Sequence, residues 1–121
     1  MAAMTQTVPV RAIPAPRRVK TGRSRWRALL EARWRDRLEE VTDLSVAFHE
    51  AAAPTDGRTQ QESQRLLSRR AVVARYALAE TDKALHRLAT GEFGRCEDCA
   101  GEIAQPRLLA EPEARYCERC A

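Results

Sequence analysis

The chain is short of aromatic residues. Two Phe, two Tyr and two Trp among 121 residues cannot fill a broad globular core. The apolar fraction of 44% leans on alanine, which favours an elongated helical body with a narrow Ala/Leu seam. No apolar run approaches the roughly 20 residues that a membrane-spanning helix needs. No short basic segment is followed by an apolar core, so no secretory signal is visible, and a cytoplasmic location is expected. Acids are missing from residues 1–27, which carry seven bases and a charge of +7. The remaining 94 residues carry −3. The overall charge of +4 and pI of 9.2 therefore describe the tail, and specific DNA binding by the body is not expected.

Four cysteines are present, in two C-x-x-C pairs, Cys96/Cys99 and Cys117/Cys120, with 17 residues between them. In a reducing compartment such pairs read as a metal site rather than disulfides. Each pair wraps one turn around an ion, and the intervening segment is long enough to complete a tetrahedron of sulfurs about 2.3 Å from Zn²⁺. Four thiolates leave no open coordination position, so the metal is expected to staple a fold of about 30 residues that is too small to hold itself together. Phe93, Ile103, Leu108 and Leu109 supply a small apolar cluster, and Pro106 and Pro112 are read as shaping the loop between the pairs. Arg95, Arg107, Arg115 and Arg119 form a candidate partner-facing patch. His49 and His86 are far apart in sequence and no nucleophile–base arrangement is evident, so no enzyme activity is expected. His86 is read as structural and His49 as exposed.

Upstream, the periodicity is helical. Trp26, Leu30, Trp34, Leu38, Val41, Leu44 and Phe48 keep one face, with Thr21 or Ser24 as N-cap. Pro54-Thr55-Asp56-Gly57 is a turn. Thr59 and Glu62 fit a capping box, with Asp56 the competing cap. Leu67, Ala71, Ala74, Leu78, Thr81, Leu85 and Leu88 alternate steps of four and three, a heptad seam ending at Gly91. The expected fold is mainly α. A disordered basic tail with three prolines (1–21) precedes an antiparallel two-helix coiled-coil hairpin (22–90, turn near 54–58) and a C4 zinc finger (91–121), the whole monomeric and not bound to membranes.

Gly91-Glu-Phe93-Gly94-Arg-Cys96-Glu-Asp-Cys99, then Ile103, Arg107-Leu108, Ala110, Pro112, Ala114, Cys117 and Cys120, together with the hairpin, closely resembles the DksA/TraR family. The resemblance implies a bacterial transcription regulator that binds RNA polymerase rather than DNA. Its hairpin enters the polymerase secondary channel, and acidic residues at the tip alter initiation. Partner contacts are then expected at Asp56, Arg58 and Arg107. Some family members act with guanosine tetraphosphate, but no site for that nucleotide maps onto this chain. The sequence departs from the family pattern at the tip and in the first knuckle, among other places. The tip's usual pair of aspartates, three residues apart, falls on Ala53 and Asp56, and the glycine usual after the second cysteine is Ala100, which is expected to shift the knuckle. The competing reading is a zinc-finger module that binds nucleic acid or another protein through the Arg-rich residues of the tail.

Overall fold

A computed structural model describes residues 21–51 and 57–121. Helix α1 spans Thr21–Ala51, α2 spans Gly57–Thr90 and the short α3 spans Gln105–Ala110. The two long helices run antiparallel. Arg23 near the start of α1 donates to the Ala89 carbonyl near the end of α2, and Arg37 reaches Thr81. At 1.5 Å per residue they form a rod roughly 45–50 Å long.

The ends differ in detail from the sequence reading. Thr21 is already helical, so neither it nor Ser24 precedes the helix as a cap. Gly57 and Arg58, expected in the turn, belong to α2, and Thr59 is its third residue rather than its N-cap. Asp56, the competing cap, falls outside the described residues, as do Pro54 and the expected disordered tail up to residue 20. Gly91 closes α2 as expected, with φ +83° and its N–H on the Leu88 carbonyl.

The seam is legible but unevenly buried. Leu30, Ala74, Thr81, Ala84 and Leu88 are buried, and all but Ala74 cluster toward the base of the hairpin. Leu38, placed on the seam by its spacing, is 40% exposed, and His86 is also exposed. Toward the tip, Val46, Leu66, Val72, Val73 and Tyr76 stand in solvent. Two helices offer each other one stripe apiece, so deep burial needs a third layer. The finger supplies that layer. Trp26 and Phe93, with ring centroids 5.1 Å apart, pack against both the hairpin cluster (Leu30, Ala84, Leu88) and the finger cluster (Cys96, Ile103, Leu108, Ala114, Cys117).

Stability should follow this gradient. Leu30→Ala is expected to cost about 3 kcal/mol, whereas Val73→Ala, at a site 69% exposed, should cost under about 0.5 kcal/mol. Urea unfolding of the zinc-loaded proteins, followed by helical circular dichroism, measures both.

Candidate metal centre

The finger is built from tight turns. The Cys96 N–H bonds the Gly101 carbonyl at 2.7 Å, and the Ala100 N–H returns to the Cys96 carbonyl at 3.0 Å. Arg95 and Glu102 face each other in a single antiparallel bridge, and the Ile103 N–H reaches Gly94. The second pair repeats the pattern, with the N–H groups of Cys120 and Ala121 on the Cys117 carbonyl at 3.1 and 2.9 Å. Between the pairs lies α3. Pro106, read above as a loop residue, sits in its first turn, where a missing N–H costs nothing.

These turns gather the four cysteines. Their Sγ atoms all lie within 4.8 Å of one another, and Cys99 and Cys117 are 3.8 Å apart. A regular tetrahedron of sulfurs around Zn²⁺ has edges of about 3.8 Å. All four cysteines are free of disulfides. The electrostatics favour a cation at their centre. The Cys99 N–H, foremost among several backbone donors, lowers the Cys96 thiol to about 6, and the Cys120 N–H lowers that of Cys117. Cys120 is pushed well up, first by Cys117 and then by burial and by Cys96 and Cys99. A cluster that favours its first thiolates and resists its last one calls for positive charge, which a divalent metal provides.

Ala100 adopts φ +63°, a left-handed conformation that glycine takes without strain. The alanine that stands where the resemblance places a glycine thus carries local strain in the first knuckle.

The finger docks on the hairpin through Pro112-Glu113-Ala114-Arg115, whose first three residues are buried. Glu113 is 7% exposed. Its two carboxylate oxygens accept a forked pair of bonds from Arg33 on α1, Nε at 2.8 Å and Nη2 at 2.9 Å. Thr81 on α2 lies 2.7 Å from the same carboxylate and 3.1 Å from the Ala77 carbonyl. Its hydroxyl has one proton, and the shorter contact to a charged acceptor claims it. Arg37 donates to the Thr81 oxygen at 3.1 Å and stands 3.7 Å from Glu113, and Arg87 donates to the Glu113 carbonyl at 3.3 Å. Burial alone pushes the Glu113 carboxyl up, but the Arg33 and Thr81 bonds and the Arg33 charge together hold it below the usual glutamate range. A second link runs beside it. Arg115 donates to Glu97 at 2.8 Å and approaches Glu80, while Arg87 stands 3.7 Å from Glu97. The bond from Arg115, with its charge, lowers the Glu97 carboxyl.

Among the residues singled out by sequence, the four cysteines converge. Arg58 is exposed in the first turn of α2, far along the rod. Arg107 donates its Nε to the Tyr116 carbonyl at 2.8 Å, inside the finger. The expected arginine patch is largely committed to local bonds, since Arg115 pairs with Glu97 and Arg95 with Glu92. Glu113 and Arg33 were not anticipated, and Thr81 was placed on the seam without its polar role. The available signal was Thr81, a hydroxyl at a heptad position otherwise held by apolar residues.

A model of the prokaryotic dksA/traR C4-type zinc finger matches residues 91–121. Over 102 residues the chain is 32% identical to the RNA polymerase-binding transcription factor DksA of Salmonella typhimurium, covering 80% of this chain and 67% of that protein. It is 50% identical over 44 residues to an uncharacterised protein of Aquifex aeolicus, covering 36% of this chain and 30% of that one. In fold it resembles the transcription factor DksA2 from Pseudomonas aeruginosa, with a TM-score of 0.79, 23% identity, and coverage of 84% of this chain and 81% of that one. The finger match and the clustered thiols together identify one structural Zn²⁺ as the cofactor.

Two outcomes test this site. Ala100→Gly should relieve the left-handed strain and raise the stability of the zinc-loaded protein by up to about 1 kcal/mol, visible as a melting temperature a few degrees higher. Glu113→Gln should cost about 2–3 kcal/mol at neutral pH, because it leaves a buried acceptor site half-satisfied and Arg33 without its counter-charge. A carboxyl whose folded pKa is depressed stabilises above its unfolded value, about 4.3, and that contribution is lost as pH falls through the folded value. The gap between wild type and Glu113→Gln should therefore stay constant from pH 7 to about 5 and close below about 4. Urea unfolding of both proteins at each pH reads it, and the shared acid loss of metal cancels in the comparison.

Proposed function

The chain belongs to the DksA/TraR family, and from that premise we propose that it is a transcription regulator that binds RNA polymerase directly, enters its secondary channel with the hairpin and modulates initiation. The observation that carries this reading is a likeness to a polymerase-binding factor over 80% of the chain. A match of that extent cannot be confined to the finger and has to run through the hairpin. A slender helical rod on a compact base also suits a narrow channel.

In this reading residues 1–21 form a basic tail, 22–90 a probe and 91–121 its base. Cys96, Cys99, Cys117 and Cys120 ligate the zinc, which completes the base and takes no part in chemistry. The protein acts by binding rather than catalysis, in the cytoplasm. Asp56, two positions before Arg58 in the sequence, is the residue that in this reading approaches the polymerase active centre. Arg58, exposed in the first turn of α2, and Arg107, whose Nε is held by the Tyr116 carbonyl, are the further partner contacts of this reading.

The test is binding of the zinc-loaded protein to purified RNA polymerase from the same source, with initiation assayed alongside. Wild type should bind with a Kd of about 1 μM or tighter. Asp56→Asn should bind within a few-fold of that and lose its effect on initiation. A folded, zinc-loaded wild type that does not bind would sink the proposal.

A further inference from the structure

Covalently, the finger hangs from α2 alone. Between Thr90 and the first bridge residue, Arg95, the linker contains Gly91 at φ +83° and Gly94 at φ +82°. Its Gly91 and Glu92 N–H groups cap α2 on the Leu88 and Arg87 carbonyls, which ties the start of the finger to α2 but sets no angle to α1. Helix α1 has no nearby chain connection to the finger, since Arg33 and Glu113 are 80 residues apart. What fixes the finger's direction against both helices must therefore be side-chain contact.

Two kinds of contact are present. The Trp26–Phe93 ring contact is tilted at 51°, and apolar contact of this kind holds parts together without fixing one orientation tightly. The Glu113 carboxylate is directional. One oxygen takes Arg33 Nη2 from α1, and the other takes both Arg33 Nε from α1 and the Thr81 hydroxyl from α2. Among the described residues, Glu113 is the one finger side chain that hydrogen-bonds to both long helices. The forked guanidinium–carboxylate geometry admits little rotation. On a rod roughly 45–50 Å long, a tilt of 10° at the base moves the tip by roughly 8 Å.

We propose that Glu113 is a positioning residue: its carboxylate, clasped by Arg33 and Thr81, sets the angle between finger and hairpin and so fixes where the tip stands for a partner that also grips the base. The last part rests on the polymerase reading above, whereas the angle itself does not.

The experiment uses the full, zinc-loaded chain and measures residual dipolar couplings of backbone amides in the finger and in the two long helices. Wild type should fit a single alignment tensor. Glu113→Gln should keep its zinc, measured by chelator-triggered release, and its helical signal, yet require separate tensors for finger and hairpin. A general loss of stability would lower the melting temperature without dividing the tensors. If Glu113→Gln does not fold, Thr81→Val, which removes one of the bonds and leaves the ion pair, takes its place and should divide the tensors partially. A single tensor in every folded variant overturns the proposal. In the polymerase arm, Glu113→Gln should raise the Kd about tenfold as preorganisation is lost. If wild type itself does not bind polymerase, the functional reading falls, and the couplings still decide the positioning role.

Discussion

Two helices have no inside. Each can turn one stripe toward the other, and whatever lies beyond that stripe meets water unless a third element covers it. In this chain the third element is a finger of about 30 residues set against the base of the hairpin. The burial pattern follows directly. Leu30, Thr81, Ala84 and Leu88 are buried where the finger lies, and Val46, Leu66, Val72 and Val73 are exposed beyond its reach. The molecule is thus consolidated at one end, with a rod projecting from it whose far half carries no layer of its own. Local stability should fall along the rod in the same direction.

The finger can serve as a layer only because it is itself held. Its apolar cluster comprises Ile103, Leu108 and Ala114 around the cysteines, with Phe93 and Tyr116 at the margin, too little to sustain a fold without a staple. The metal centre and the docking face are also close in sequence. Glu113 and Arg115 lie just ahead of Cys117, and Glu97 follows Cys96. The Glu97 N–H bonds the Arg115 carbonyl at 2.9 Å, so the first knuckle and the docking segment share backbone as well as side-chain bonds. Ordering the thiols by a metal therefore also orders the groups that grip the helices.

Much of this was legible in the sequence, for reasons that are local. The cysteine pairs, the heptad seam of α2 and the stop at Gly91 each depend on residues within a few turns of one another, and spacing alone exposes them. What was not legible is long-range. Glu113 and Arg33 look like ordinary solvated charges in their own surroundings, and their pairing exists only once α1 and the finger are brought together across 80 positions. Pro106 was misassigned because a six-residue helix offers too short a pattern to register. Leu38 was placed correctly by period, yet two helices are too narrow to cover it. The membership of a layer can be read from spacing, but its depth depends on what is stacked above it.

An ionic clasp is not the most stabilising choice for the joint. A well-packed apolar residue at position 113, facing apolar partners, would meet no desolvation cost and could match or exceed the stability of the present arrangement. It would, however, tolerate rotation, since apolar surfaces are satisfied over a range of angles. A carboxylate that must receive a guanidinium fork on one side and a hydroxyl on the other is satisfied over a narrow range. Thr81 also breaks an otherwise apolar stretch of seam to supply that hydroxyl, and Arg37 in turn donates to the same oxygen. Three polar side chains have thus been drawn into a small core around one oxygen pair. The joint gives up cohesion it could have had, and what it gains is direction.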